Sequence, residues 1–151
     1  MTIRLDGEHA TISLGRALGE VLSTGDLIAL DGDLGAGKTT LVRGLAAGLG
    51  ADPQEVRSPT FVLAHVYRAG RIPLGHLDAY RLGPGADLTP LGIDDLLDAG
   101  AVAVEWASLA QLDMAPAATI TLEVVSESAR RATLASGALE RLRGAFAGAA
   151  S

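Results

Sequence analysis

The residues best suited to chemistry lie just after a short apolar run. Leu27-Ile28-Ala29-Leu30, bounded by Gly25-Asp26, is followed by Asp31-Gly32-Asp33-Leu34-Gly35-Ala36-Gly37-Lys38-Thr39-Thr40. Gly32, Gly37, Lys38 and Thr39 satisfy the phosphate-loop pattern: a glycine, four residues, then Gly-Lys-Ser/Thr. Glycines let the backbone take positive φ, so that successive N–H groups converge on an anion. A following helix adds unsatisfied N–H groups and the positive end of its dipole. Lys38 places a charge between the β- and γ-phosphates, and the Thr39 hydroxyl is suited to ligating Mg²⁺. Lys38 is also the only lysine in the chain; every other Lys/Arg position holds Arg. A compact ammonium stands only where phosphate chemistry favours one.

Further candidates follow downstream. Thr60, after Ser58-Pro59, either offers its hydroxyl to a metal or γ-phosphate from a nucleotide-sensing loop or simply starts a strand. Asp78 closes the apolar segment Ile72–Leu77, a suitable place for an acid facing a Mg²⁺ shell. Glu105 closes the run Ala101–Val104, at the strand edge where open α/β sheets bind ligands. It is the candidate for polarising an attacking water or holding a metal-bound one, with a purely supporting acid as the competing reading. His76 reads as a packed histidine or as one that orients a neighbour. Trp106, the only tryptophan, reads as core or as a stacking surface. Asp94, Asp95 and Asp98 fit the solvated start of a helix better than a metal cluster. Arg81, Arg130 and Arg131 read as surface charges or phosphate contacts.

The elements that must position these groups follow from periodicity. Residues 2–12 alternate weakly, as an edge strand with a turn at Asp6-Gly7-Glu8, and His9 reads as an exposed turn residue. Ser13 is a plausible N-cap for a helix carrying Leu14, Ala17, Leu18, Val21 and Leu22. Leu41, Val42, Leu45, Ala46 and Leu49 mark the helix after the phosphate loop. Residues 61–67 and 72–78 read as a strand pair around a turn at 68–71. Thr89–Leu97 reads as one short helix with a capping signal, and Ala101–Val104 as a central parallel strand. Thr119–Val125 and Arg131–Ala135 form a hairpin, and a last helix carries Leu139, Leu142, Ala145 and Phe146, fraying from Gly148.

At 151 residues, 48% hydrophobic and 20% charged, the chain reads as one soluble globular domain. A net charge of −6 argues against autonomous nucleic-acid binding. The chain has no cysteine, which excludes disulfides, thiolate metal sites and Cys nucleophiles. Neither a signal peptide nor a membrane-spanning run is evident, so the expected location is cytoplasmic.

Several blocks taken together resemble the TsaE family, small ATPases of bacterial tRNA threonylcarbamoyladenosine synthesis. They are Gly32–Thr40, Ser58-Pro59-Thr60-Phe61, His76-Leu77-Asp78-Ala79-Tyr80-Arg81, Leu91-Gly92-Ile93 and Val104-Glu105-Trp106, with Leu14-Gly15 upstream. The resemblance implies an α/β fold, a P-loop NTPase domain over 1–151. Its sheet would be mostly parallel, with antiparallel hairpins and flanking helices. ATP and Mg²⁺ are the implied cofactors. The implied partners are TsaB-like and TsaD-like proteins that modify adenosine 37 of tRNA, so that tRNA is met only through the complex. By motif match, Asp33, Leu34, Gly35, Ala36, Gly37, Lys38, Thr39, Thr40 and Thr60 bind nucleotide, and Thr39, Asp78 and Glu105 serve the metal. Glu105, Lys38 and Asp78 make up the catalytic set. The family usually continues Glu-Trp with Pro and a charged residue, whereas Ala107-Ser108 stand here.

Two other classes compete. A P-loop small-molecule kinase would transfer phosphate to an acceptor, but there is no long Arg-rich lid segment. A GTP switch would need Asn-Lys-x-Asp, and the chain contains no Asn.

Overall fold

The computed structural model describes residues 1–58 and 64–149. The expectations for Thr60, and for the first residues of the strand beginning at Phe61, lie outside the described residues. So does the chain end at 150–151.

In chain order the elements are β1 (Thr2–Asp6), α1 (Glu8–Glu20), β2 (Leu27–Gly32), α2 (Lys38–Leu49), β3 (Ala64–Tyr67), β4 (Leu74–Asp78), β5 (Ala86–Asp87), α3 (Ile93–Ala99), β6 (Ala101–Glu105), β7 (Ala110–Gln111), β8 (Ala118–Val124), β9 (Ala129–Leu134) and α4 (Glu140–Gly148). Seven strands form one sheet in the order β1-β9-β8-β2-β6-β4-β3. Its centre, β8-β2-β6-β4, is parallel. Antiparallel neighbours extend it on both sides, β3 beside β4, and β9 between β8 and β1. The expected parallel sheet with antiparallel hairpins is therefore observed.

Alternation along the central strands divides the core. Ile28, Leu30, Ala101 and Ala103 pack with α1, α2 and α4 on one face, while Leu27, Ala29, Val102 and Val104 pack with α3 on the other. Burial on both faces explains why β2 and β6 read as continuous apolar runs. α2 stops at Gly50, which takes φ 92°, and the Gly50 and Ala51 N–H groups return to Ala47 and Ala46 in a Schellman closure.

Two local expectations are corrected, and one pairing is unanticipated. α1 starts at Glu8 rather than after Ser13: Gly7, at φ 85°, ends β1 and donates its N–H to Ser128 O, so His9 lies in the helix, although exposed. Thr89–Leu97 is not one helix. Gly92, at φ 82°, separates a 3-10 turn over Thr89–Leu91 from α3. The short pairing of β5 with β7 has no periodic signal because each strand is only two residues long.

α1 and α2 pack at backbone distance. Gly15 and Gly19 lie against Gly44 and Gly48, with the two backbones in contact. A Cβ on Gly44 would stand 2.4 Å from Ile12 O and 2.7 Å from Gly15 Cα, and one on Gly48 2.3 Å from Arg16 O. The helix that opens from the phosphate loop is thus held against α1 with no side chain between them. Gly44→Ala is expected to destabilise the protein by at least about 2 kcal/mol through overpacking. Gly144→Ala, on α4 where nothing lies within 4 Å of an added Cβ, should instead stabilise it by roughly 0.5–1 kcal/mol. Urea unfolding of the two variants checks the contrast.

Candidate active site

The loop between β2 and α2 turns on three glycines at positive φ: Gly32 (146°), Gly35 (81°) and Gly37 (108°). At Gly32 even a methyl group would collide, since a Cβ would lie 2.5 Å from Leu122 O. Gly37 hands the chain to α2, whose first turn holds Lys38, Thr39 and Thr40. The Lys38 ammonium folds back across the loop, donating to Gly32 O at 2.5 Å and Asp33 O at 3.1 Å. It also lies 4.1 Å from the centre of the Trp106 ring. Burial pushes the Lys38 pKa below its ordinary value, while Glu105, Asp78, Asp31 and Asp33 pull it up.

Two acids face this loop from neighbouring strand ends. Asp78 and Glu105 are register partners across the parallel pair β4–β6. Glu105 is buried, at 3% exposure, and its carboxylate accepts the Thr39 hydroxyl at 2.9 and 3.1 Å. Its other side-chain partner is the buried His76. Asp78 accepts the Tyr80 N–H at 2.9 Å. Burial pushes the Asp78 carboxyl up and nearby Glu105 adds to that, while the Tyr80 N–H, His76 and Lys38 pull it down.

These groups surround a cavity of about 430 Å³, whose walls include Leu34, Gly35, Gly37, Lys38, Thr39, Thr40, Ser58, Asp78, Arg81, Glu105 and Trp106. A second cavity of about 470 Å³ lies across Gly35, Gly37 and Thr40, walled by Thr11, Arg43, Glu127, Ser128 and Arg130. Arg130 reaches over the loop to donate to Gly35 O at 3.2 Å. Asp33, on the expected nucleotide-binding list, faces neither cavity with its side chain; its carbonyl accepts from Lys38 and from the Ala36 N–H. Ala36 is wholly buried and lines the second cavity.

Three participants exceed the residue-by-residue reading. Trp106 takes φ 58°, which non-glycine residues rarely adopt. Its ring lies under Lys38 and 4.8 Å from Tyr80, so it is a wall of the cavity while also packing against the α3-side core. After it, Ala107-Ser108 make a 3-10 turn in which the Ser108 N–H donates to Asp31 Oδ1 at 2.8 Å. His76 and Tyr67 stand behind Glu105. The signal for His76 is its position two residues before Asp78, which puts both on one face of β4.

The donor set suits a hard cation. One hydroxyl and two carboxylates supply only oxygen, and Mg²⁺ takes one or two carboxylates, keeping water and phosphate oxygens for the rest. Among the described residues there is no group of three or more His, Cys, Asp or Glu that would make an all-protein cage.

Comparison with known proteins agrees with this architecture. Residues 5–133 match the family model for "Threonylcarbamoyl adenosine biosynthesis protein TsaE". The chain is 40% identical to a Nostoc protein named tRNA threonylcarbamoyladenosine biosynthesis protein TsaE, over 87% of this chain and 83% of that one. It is 37% identical to the Treponema pallidum protein of the same name, over 83% of this chain and 93% of the other. The crystal structure of YdiB from Bacillus subtilis superposes with a TM-score of 0.74 at 29% identity, covering 99% of this chain and 93% of that one. A glycine-turned loop opening onto α2, two acids on adjacent parallel strand ends and this family match over most of the length agree: the chain belongs to the TsaE family.

Proposed function

We propose that this chain is a single-domain, Mg²⁺-dependent ATPase that supports threonylcarbamoylation of adenosine 37 of tRNA in the cytoplasm, acting with TsaB-like and TsaD-like proteins. The observation that carries the reading is the hydrogen bond between Thr39, the loop's hydroxyl, and Glu105, the acid at the neighbouring strand end. It brings a candidate metal ligand and a candidate base to one cavity beside Lys38 and Asp78. The loop's main-chain N–H groups and Lys38 would hold the triphosphate oxygens, and the second cavity, across Gly35, Gly37 and Thr40, would take the nucleoside end. Thr39, Asp78 and Glu105 would hold Mg²⁺, directly or through its waters, and the ion would supply charge neutralisation of the phosphates. Glu105 accepts a proton from the attacking water or orients it. Thr60 belongs to the same reading as the nucleotide sensor.

Partners enter through the mouth of the cavity. Leu34 at the loop tip is 88% exposed, and Tyr80, on the wall of the same cavity, is exposed too. Large apolar groups around a solvent-open site support closure by another protein, which would exclude water and complete the electrostatic environment. tRNA is then met through the complex, in keeping with the net charge of −6. Among the described residues no helix is long and apolar enough to cross a membrane.

Titration calorimetry in millimolar Mg²⁺ should find ATP binding to the wild-type chain. Lys38→Ala should weaken it at least about 30-fold, the weight of roughly 2 kcal/mol of charge-assisted hydrogen bonding; undiminished affinity would reject the role of Lys38. Glu105→Gln should keep ATP affinity while phosphate release with the partners falls at least about 100-fold. Turnover near wild type would make Glu105 structural. Because the Lys38 ammonium rests on the only tryptophan, ATP should change Trp106 emission in the wild-type chain and not in Lys38→Ala. Transfer of the phosphoryl group from ATP to a small-molecule acceptor, in place of its release as phosphate, would favour the kinase reading instead.

A further inference from the structure

The buried side of Glu105 leads away from the cavity along a continuous line of hydrogen bonds. His76 Nε2 lies 2.5 Å from Glu105 Oε2, the oxygen that also accepts the Thr39 hydroxyl at 2.9 Å. The other ring nitrogen, Nδ1, lies 3.0 Å from Tyr67 Oη. That phenol oxygen is 3.4 Å from the Arg57 nitrogen and 3.3 Å from the Arg57 carbonyl oxygen. The next residue, Ser58, is again a wall of the cavity. The line thus leaves the site at Glu105 and returns to it beside Ser58.

The chemistry of the groups fixes its sense at Glu105 and leaves two arrangements at Tyr67. A carboxylate only accepts, so His76 presents an N–H to Glu105 from Nε2. Tyr67 then donates to Nδ1 while accepting from the Arg57 N–H, or accepts from an Nδ1–H while donating to Arg57 O. Either arrangement satisfies every member, and no buried side-chain N or O atom among the described residues lacks a partner. His76 is fully buried, Tyr67 nearly so, and neither lines the cavity. Apolar side chains would fill those positions without the expense of desolvating two polar ones, which points to a purpose for the polar pair.

We propose that His76 and Tyr67 are positioning residues. They hold the Glu105 carboxylate toward Thr39 and the cavity, and they tie its orientation to the main chain at Arg57. Displacement of that part of the cavity wall is thereby transmitted to the acid. The inference rests on the hydrolytic role of Glu105 proposed above.

The test uses the chain with its TsaB-like and TsaD-like partners and measures ATP affinity, kcat and KM. Gln at position 76 can present an N–H where Nε2 stands but offers nothing to Tyr67, whereas Leu offers neither contact. His76→Leu should lower kcat about 10- to 100-fold, as loss of a supporting ligand partner does, with ATP affinity kept. His76→Gln should recover much of the loss and retain the same smaller deficit as Tyr67→Phe. The double variant should be no worse than either single one, because both break the same link. Wild-type kcat in folded His76→Leu overturns the positioning role, and additive losses overturn the link through Tyr67. Should His76→Leu fail to fold, the Gln and Phe variants decide. A wild-type complex that binds ATP without hydrolysing it rejects the proposed function rather than the link. The link then has its own readout: amide hydrogen exchange at Arg57 should quicken in both Tyr67→Phe and His76→Gln, and unchanged exchange in His76→Gln overturns it.

Discussion

A carboxylate taken out of water must find donors, and Glu105 is almost entirely enclosed. Several kcal/mol separate a buried charge with good partners from one without. Its side-chain partners come from two different elements, Thr39 on the first turn of α2 and His76 in the middle of β4. Both can reach it only if β6 lies between β2 and β4 in one particular register, with Leu30 and Asp78 level with Glu105. A slip of one residue in β6 would turn the acid to the α3 face and take it away from the Thr39 hydroxyl and His76 Nε2. Sheet register and the chemistry of the site are therefore one requirement.

Lys38 obeys a related constraint. It is removed from water at the base of a cavity bordered by Asp78 and Glu105, and it satisfies its donors on the loop's own carbonyls and on the face of Trp106. Those contacts are ones an ammonium can exchange for other acceptors without moving the backbone. The positive φ of Trp106 places the indole under the ammonium. The bond from the Ser108 N–H to Asp31 pins the turn that follows. Ala107-Ser108, where the family usually has Pro and a charged residue, thus still allow an anchored turn.

Legibility in the sequence followed the range of the interactions. The phosphate loop was readable because its chemistry is local: glycine spacing, one lysine and a threonine lie within a few residues of a strand and a helix. The central strands were readable because burial on both faces leaves continuous apolar runs, and Asp78 and Glu105 because each ends such a run. Local pattern failed where a single glycine conformation decides the outcome, as at Gly7, which lets α1 begin early, and at Gly92, which divides one expected helix. It also failed where the signal is a pairing between distant segments. Nothing near His76 in sequence announces Glu105, which lies 29 positions away, and a packed histidine and an orienting one look alike until the partner is known. The roles of Asp78 and Glu105 in metal binding and catalysis remain part of the proposed function.

The bare contact between α1 and α2 has a further consequence. Helices separated by side chains can slide or tilt as rotamers change, but here main chain rests on main chain at Gly15, Gly19, Gly44 and Gly48, and there is little to repack. The pair should behave as a rigid plank, so that motion entering at the N-terminal end of α2 is carried whole to α1 rather than absorbed between them. For anyone grafting this loop into another scaffold, the transferable piece is both helices with their shared seam, not the loop and its helix alone.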